Sequence, residues 1–146
     1  YTNRRRVAAD VEQELGARAV ELDELIATSD VVSLNCPHTP ETHHLLDSLA
    51  FQSMRDDAFV VNTARGAVID EAALVEALDT RQIAGAGLDV YENEPDVHPG
   101  LLGRDDVVLL PHLGSATRET RGAMAELAAR NVLAVLAGEA PPTPIN

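Results

Sequence analysis

Four short apolar runs, DVVSLNCP, AFVVNTA, IAGAGLDV and VVLLPH, return along the chain, with helical patterns before and among them. Each run is apolar throughout rather than alternating, which predicts strands of a parallel sheet covered on both faces. Strands that alternate with helices in this way build an α/β fold, a doubly wound parallel sheet of the Rossmann-like kind. The helical segments are read from apolar spacing and caps. One runs from Val7 to Leu15, and a second carries Leu22, Leu25 and Ile26. Asp47 caps a third through Met54, and Asp70 caps a fourth through Leu78. A long amphipathic helix is expected after Gly114, with Met124, Leu127, Ala128, Val132 and Leu136 on one side and Gly138 as its stop. The opening YTNRRR reads as the polar end of a strand whose apolar body is missing, so the sheet is expected to be incomplete on its N-terminal side. Residues 1–138 are therefore expected to form the C-terminal part of a parallel-sheet domain and residues 139–146, EAPPTPIN, a proline-rich tail.

Ligands of such sheets lie beyond the carboxyl ends of the strands. The polar residues just after each strand are Asn3–Arg6, Asn35–Pro37, Thr63–Gly66, Asp89–Glu94 and His112–Thr117. Among them, Arg65, Glu94 and His112 make the set needed to interconvert a 2-hydroxy acid and a 2-keto acid. A guanidinium can hold a carboxylate with two parallel hydrogen bonds, which suits Arg65 to the substrate. His112 can give a proton to the keto oxygen and take it back in the reverse direction. Glu94 can orient that imidazole and favour its charged form. Asp89 can accept a hydrogen bond from a nicotinamide amide or a ribose. Singly, each also fits a plainer role: Arg65 in a surface turn, His112 in a loop, Glu94 in solvent, Asp89 as a cap. Their joint arrival on one sheet edge favours the chemical reading. Cys36 before Pro37 reads as a small packed residue lining a cofactor cleft. His38, His43 and His44 lack the spacing of a metal site and read as a solvated turn, so no metal is expected.

Three segments carry a family resemblance: VVNTARGAVIDEAAL, AGAGLDVYENEP and LLPHLGSAT, in that order. Through them the chain resembles the nucleotide-binding part of the D-isomer-specific 2-hydroxyacid dehydrogenases, nearest to the glyoxylate and hydroxypyruvate reductases. The resemblance implies Arg65 as the substrate-binding arginine, His112 as the acid/base and Glu94 as its partner. It places Cys36, Pro37, Thr63, Ala64, Arg65, Asp89, His112, Gly114 and Ser115 against the cofactor. The family's glycine-rich phosphate turn and most of its substrate domain are not in this sequence, so the isolated chain is expected to be inactive. The first residues bear on cofactor choice. Where an acid would bind a ribose 2′-OH, the chain has Asn3, Arg4, Arg5 and Arg6, which suit a 2′-phosphate and favour NADP over NAD.

Charge excludes other partners. Asp and Glu number 24 against 11 basic residues, all of them arginine, for a net charge of −13. Such a surface repels phosphate backbones and anionic lipid, so neither nucleic acid nor membrane is expected as a partner. One cysteine and no long apolar run fit a cytoplasmic protein. The full-length form is expected to be a homodimer acting on a small 2-keto or 2-hydroxy acid. The readings left beside this one are a relative acting on another small acid or on phosphite, a dinucleotide-sensing corepressor-like protein and an inactive fragment.

Overall fold

The computed structural model describes residues 1–145, so the last residue of the proline-rich tail lies outside the described part. Contacts within the chain divide it into two compact units, Tyr1–Pro111 and the residues from His112 onward. The first unit holds a four-stranded sheet in the order β1-β2-β3-β4, with β1 Val31–Leu34, β2 Phe59–Asn62, β3 Gly85–Leu88 and β4 Val107–Leu109. Every pair is parallel. Four helices accompany them: α1 Ala9–Leu15, α2 Leu22–Thr28, α3 Ser48–Ser53 and α4 Glu71–Asp79.

The expected caps explain where two of these helices start. The Asp47 carboxylate accepts the N–H groups of Leu49 and Ala50, each at 2.9 Å, and the Asp70 carboxylate accepts that of Ala73 at 3.0 Å. Each satisfies backbone donors that the first helical turn leaves unpaired. Gly16 ends α1 in the left-handed conformation, φ 59°, and its N–H returns to the helix.

The core lies on one face of the sheet. Val32, Leu34, Val60, Ala86 and Leu88 from the strands meet Ile26 of α2, Phe51 of α3 and Leu74, Ala77 and Leu78 of α4. Burying a side chain the size of Phe51 or Leu74 stabilises by roughly 1.5–3 kcal/mol. On the other face the cover is incomplete over β1 and β2, while no residue of β3 is exposed. β1 and β2 alternate between exposed and buried positions, leaving Val31 55% and Phe59 49% exposed.

Three boundaries also differ from the sequence reading. Residues 1–6 form no strand; instead Val20 N–H donates to the Tyr1 carbonyl at 2.9 Å. The first helix begins at Ala9 rather than Val7. In the second unit, α5 spans Arg118–Leu136 and begins later than the sequence suggests, because the Thr117 hydroxyl accepts the N–H of Thr120 and sets the start there. No residue of α5 is buried, so its apolar residues, Met124 and Leu127 among them, face outward.

Candidate active site

The register brings the strand ends level. Leu34 pairs with Asn62, Asn62 with Leu88, and Leu88 with Leu109. The turns that follow therefore leave the sheet along one edge, and they carry most of the residues singled out from the sequence.

The turn after β2 is shaped by Asn62, a polar side chain only 1% exposed at the end of an apolar strand. Its Nδ2 donates to the Arg65 carbonyl and its Oδ1 accepts the Ala64 N–H, both at 3.0 Å. A buried amide is stable only with such partners, and here they fold Thr63, Ala64 and Arg65 into a fixed hook. The Arg65 side chain is exposed, and among the described residues its one hydrogen bond runs from Nη1 to the Ala64 carbonyl, 2.6 Å. Most of its donors remain turned to solvent. Sequence reading missed Asn62; its signal was an amide where the apolar run should have continued.

The turn after β3 carries Asp89 and Glu94. Asp89 is 4% exposed, and its N–H donates to the Asn62 carbonyl at 3.0 Å, which ties the two turns at their roots. The Glu94 carboxylate accepts the N–H of Tyr91 at 3.1 Å, curling the loop on itself. The Tyr91 hydroxyl donates to the Leu110 carbonyl at 2.7 Å, just beyond β4. Burial, with the Asp89 charge nearby, raises the Tyr91 pKa, so the hydroxyl stays protonated as a donor.

Arg65 and Glu94 are thus placed on neighbouring turns of the same unit. His112 belongs to the second unit, where its backbone adopts the left-handed region at φ 53°, a conformation that a histidine adopts at some cost. Gly114 and Ser115 follow it in the turn before α5.

Two clefts meet at Cys36. One, about 770 Å³, is lined by Asn35, Cys36, Pro37, His38, Thr63, Ala64 and Arg65. The other, about 510 Å³, is bounded by Asn3, Leu25, Val32, Asn35, Cys36 and Leu46, among others. Polar groups together with apolar walls at the carboxyl ends of parallel strands suit an elongated ligand such as a dinucleotide.

The arginine cluster divides. Arg6 holds Glu12 through two hydrogen bonds, 2.8 and 2.7 Å, and Glu12 also accepts the Tyr1 hydroxyl at 2.6 Å. Those bonds, Arg6 first and Tyr1 second, lower the Glu12 pKa to about 2. Arg4 and Arg5 are exposed and form no ion pair among the described residues. Arg6 is committed to the fold, and its two neighbours are available to an anion.

His44 is not the solvated turn residue expected from the sequence. Its Nε2 lies 2.8 Å from a Glu92 carboxylate oxygen and its Nδ1 3.9 Å from Asp70, and its side chain is two-thirds buried. The partner stands 48 residues away, beyond the reach of any local pattern. Among the described residues no group of side chains could hold a metal ion, and no helix is long and apolar enough to cross a membrane.

Comparison with known proteins gives this geometry a context. Residues 1–114 match the family model described as D-isomer specific 2-hydroxyacid dehydrogenase, NAD binding domain. The whole chain is 51% identical to 43% of a glyoxylate reductase from Thermococcus onnurineus. A crystal structure of an NADPH-dependent glyoxylate/hydroxypyruvate reductase from Sinorhizobium meliloti, in complex with NADP and malonate, matches 99% of the chain at 35% identity. The TM-score is 0.90 over 44% of that protein. The holo form of Rhodotorula graminis D-mandelate dehydrogenase matches the whole chain at 38% identity and a TM-score of 0.91, over 43% of its own length. The chain thus spans less than half the length of these relatives.

Proposed function

The chain belongs to the D-isomer-specific 2-hydroxyacid dehydrogenases, and on that premise we propose that the full-length polypeptide containing it reduces a small 2-keto acid, such as glyoxylate or hydroxypyruvate, with NADPH. The observation that carries the reading is the pair of neighbouring turns that present Arg65 and Glu94 at the carboxyl edge of a parallel sheet, beside a cleft lined by Cys36, Pro37, Thr63 and Ala64. When bound, the nicotinamide supplies or receives the hydride.

The chain's own residues do the rest. Arg65 grips the substrate carboxylate, a task for which its exposed donors are suited. His112 gives a proton to the keto oxygen in reduction, and Glu94 favours the imidazolium that gives it. Asp89, held almost out of water at the strand end, accepts a hydrogen bond from the cofactor, and the backbone from His112 to Ser115 lies against it. Arg4 and Arg5, with Asn3 beside them at the second cleft, select the 2′-phosphate of NADPH, while Arg6 is left out because Glu12 occupies it. The full-length protein works as a cytoplasmic homodimer, which fits the many apolar side chains the chain alone leaves exposed.

The test is NADPH oxidation by the full-length polypeptide with glyoxylate and with hydroxypyruvate. Turnover with either supports the reading, and its absence in folded protein refutes it. Sedimentation velocity checks the homodimer.

A further inference from the structure

Beneath the two turns lies a set of side chains that the reaction as described does not use. Glu71, a residue only 4% exposed, opens α4, and its Oε1 accepts the N–H of Glu92 at 2.8 Å. The Glu92 carboxylate answers in kind: Oε2 accepts the N–H of Glu71 at 3.4 Å, and Oε1 lies 2.8 Å from His44 Nε2. His44 is faced by Glu92, by Asp70 at 3.9 Å and by the stacked ring of His43, which in turn lies against His38. It adopts φ 50°, in the left-handed region, so the surroundings hold its backbone where the chain would not rest by itself. Gly66, directly after Arg65, packs against the peptide that joins Tyr91 to Glu92.

Filling space does not account for these residues. Taking a carboxylate out of water is costly, and an apolar side chain would pack α4 against the loop at less expense. What a carboxylate adds is direction: it fixes one particular N–H, that of Glu92, two residues before Glu94. We infer that Glu71, Glu92 and His44 are positioning residues that hold the Arg65 turn and the Glu94 loop in one relation, so that the grip on the substrate carboxylate and the orientation of the proton donor are set together. The inference rests on the roles proposed above for Arg65 and Glu94.

The experiment compares Glu71→Ala, Glu71→Gln, His44→Asn and Glu94→Gln in the full-length polypeptide. Glutamine keeps an oxygen to accept the Glu92 N–H; asparagine tolerates the left-handed backbone but is too short to reach Glu92. Hydrogen exchange at the Glu92 amide reads the clamp without catalysis, and Glu71→Ala should speed it about tenfold, with Glu71→Gln near wild type. In keto-acid reduction, Glu71→Ala and His44→Asn should raise KM about threefold to tenfold and move the alkaline limb of the pH profile in the same direction as Glu94→Gln. Glu71→Gln should restore both, and Glu71→Ala added to Glu94→Gln should move the limb no further. If Glu94→Gln shifts the limb while Glu71→Ala and His44→Asn move neither limb nor KM, the set is merely structural and the inference is overturned, with the proposed function intact. If Glu94→Gln leaves the limb in place, the proposed role of Glu94 fails and the positioning role goes with it.

Discussion

Gly66 and Tyr91 meet backbone to backbone: a Cβ on Gly66 would lie 1.8 Å from the Tyr91 carbonyl carbon, 1.9 Å from its oxygen and 2.3 Å from the Glu92 nitrogen. No flexible side chain stands there to yield. The turn that presents Arg65 and the loop that presents Glu94 can approach this closely because Gly66, the first residue of the 3₁₀ turn that follows Arg65, has no side chain.

Gly66→Ala should therefore push the two turns apart. Overpacking typically costs about 1–3 kcal/mol, and the upper end is expected where the obstacle is backbone. Denaturant titration of the chain checks this; a loss below about 0.5 kcal/mol would show that the contact is looser than the geometry indicates.

The pair proposed for proton transfer makes a second prediction. A carboxylate that partners an imidazole favours its charged form. In the full-length polypeptide, Glu94→Gln should start the alkaline decline of kcat/KM for reduction at a lower pH. His112→Ala should reduce kcat/KM by about 10²–10⁴ and leave cofactor affinity nearly unchanged, since the role proposed for His112 is to protonate the substrate. A profile identical to wild type in Glu94→Gln would separate the two residues.

Cofactor preference should divide the three arginines. Charge-assisted bonds to phosphate contribute roughly 1.5–3 kcal/mol each. The double substitution of Arg4 and Arg5 by alanine should erode the proposed NADPH preference of the full-length polypeptide by about tenfold or more. Arg6→Ala should instead lower the Tm and leave the ratio of kcat/KM for the two cofactors close to wild type, because its guanidinium holds Glu12. An equal effect of all three arginines on that ratio would contradict the division.

The same Arg6–Glu12 pair predicts an acid-sensitive step in stability. The Glu12 pKa is lowered from 4.5 to about 2 in the folded chain, chiefly by Arg6 and next by the Tyr1 hydroxyl. A depressed carboxylate pKa stabilises the fold fully above the unfolded value and loses that contribution as pH falls through the folded one. The contribution should therefore fade between pH 4.5 and about 2. Tm measured across that window should fall more steeply for wild type than for Glu12→Gln, and parallel curves would deny Glu12 this role.

Much of the chain can be read locally. Whether a segment becomes strand or helix depends on neighbours within a turn or two, so the apolar runs place β1 to β4 to within a few residues, and Asp47 and Asp70 mark where α3 and α4 begin. The same local order puts Arg65, Asp89 and Glu94 just after strands, on the edge where a parallel sheet meets its ligands. Other features have no local signature. That Arg6 is taken by Glu12, and that Val31 and Phe59 stand exposed on apolar strands, depend on segments packing together. Glu71 and Glu92 stand 21 residues apart, and His44 and Glu92 stand 48 apart. Such pairs are set by strand register and by how closely two turns can approach, so the sequence by itself determined the elements and the chemistry along the edge. Only the tertiary structure decided which side chains hold that edge in place.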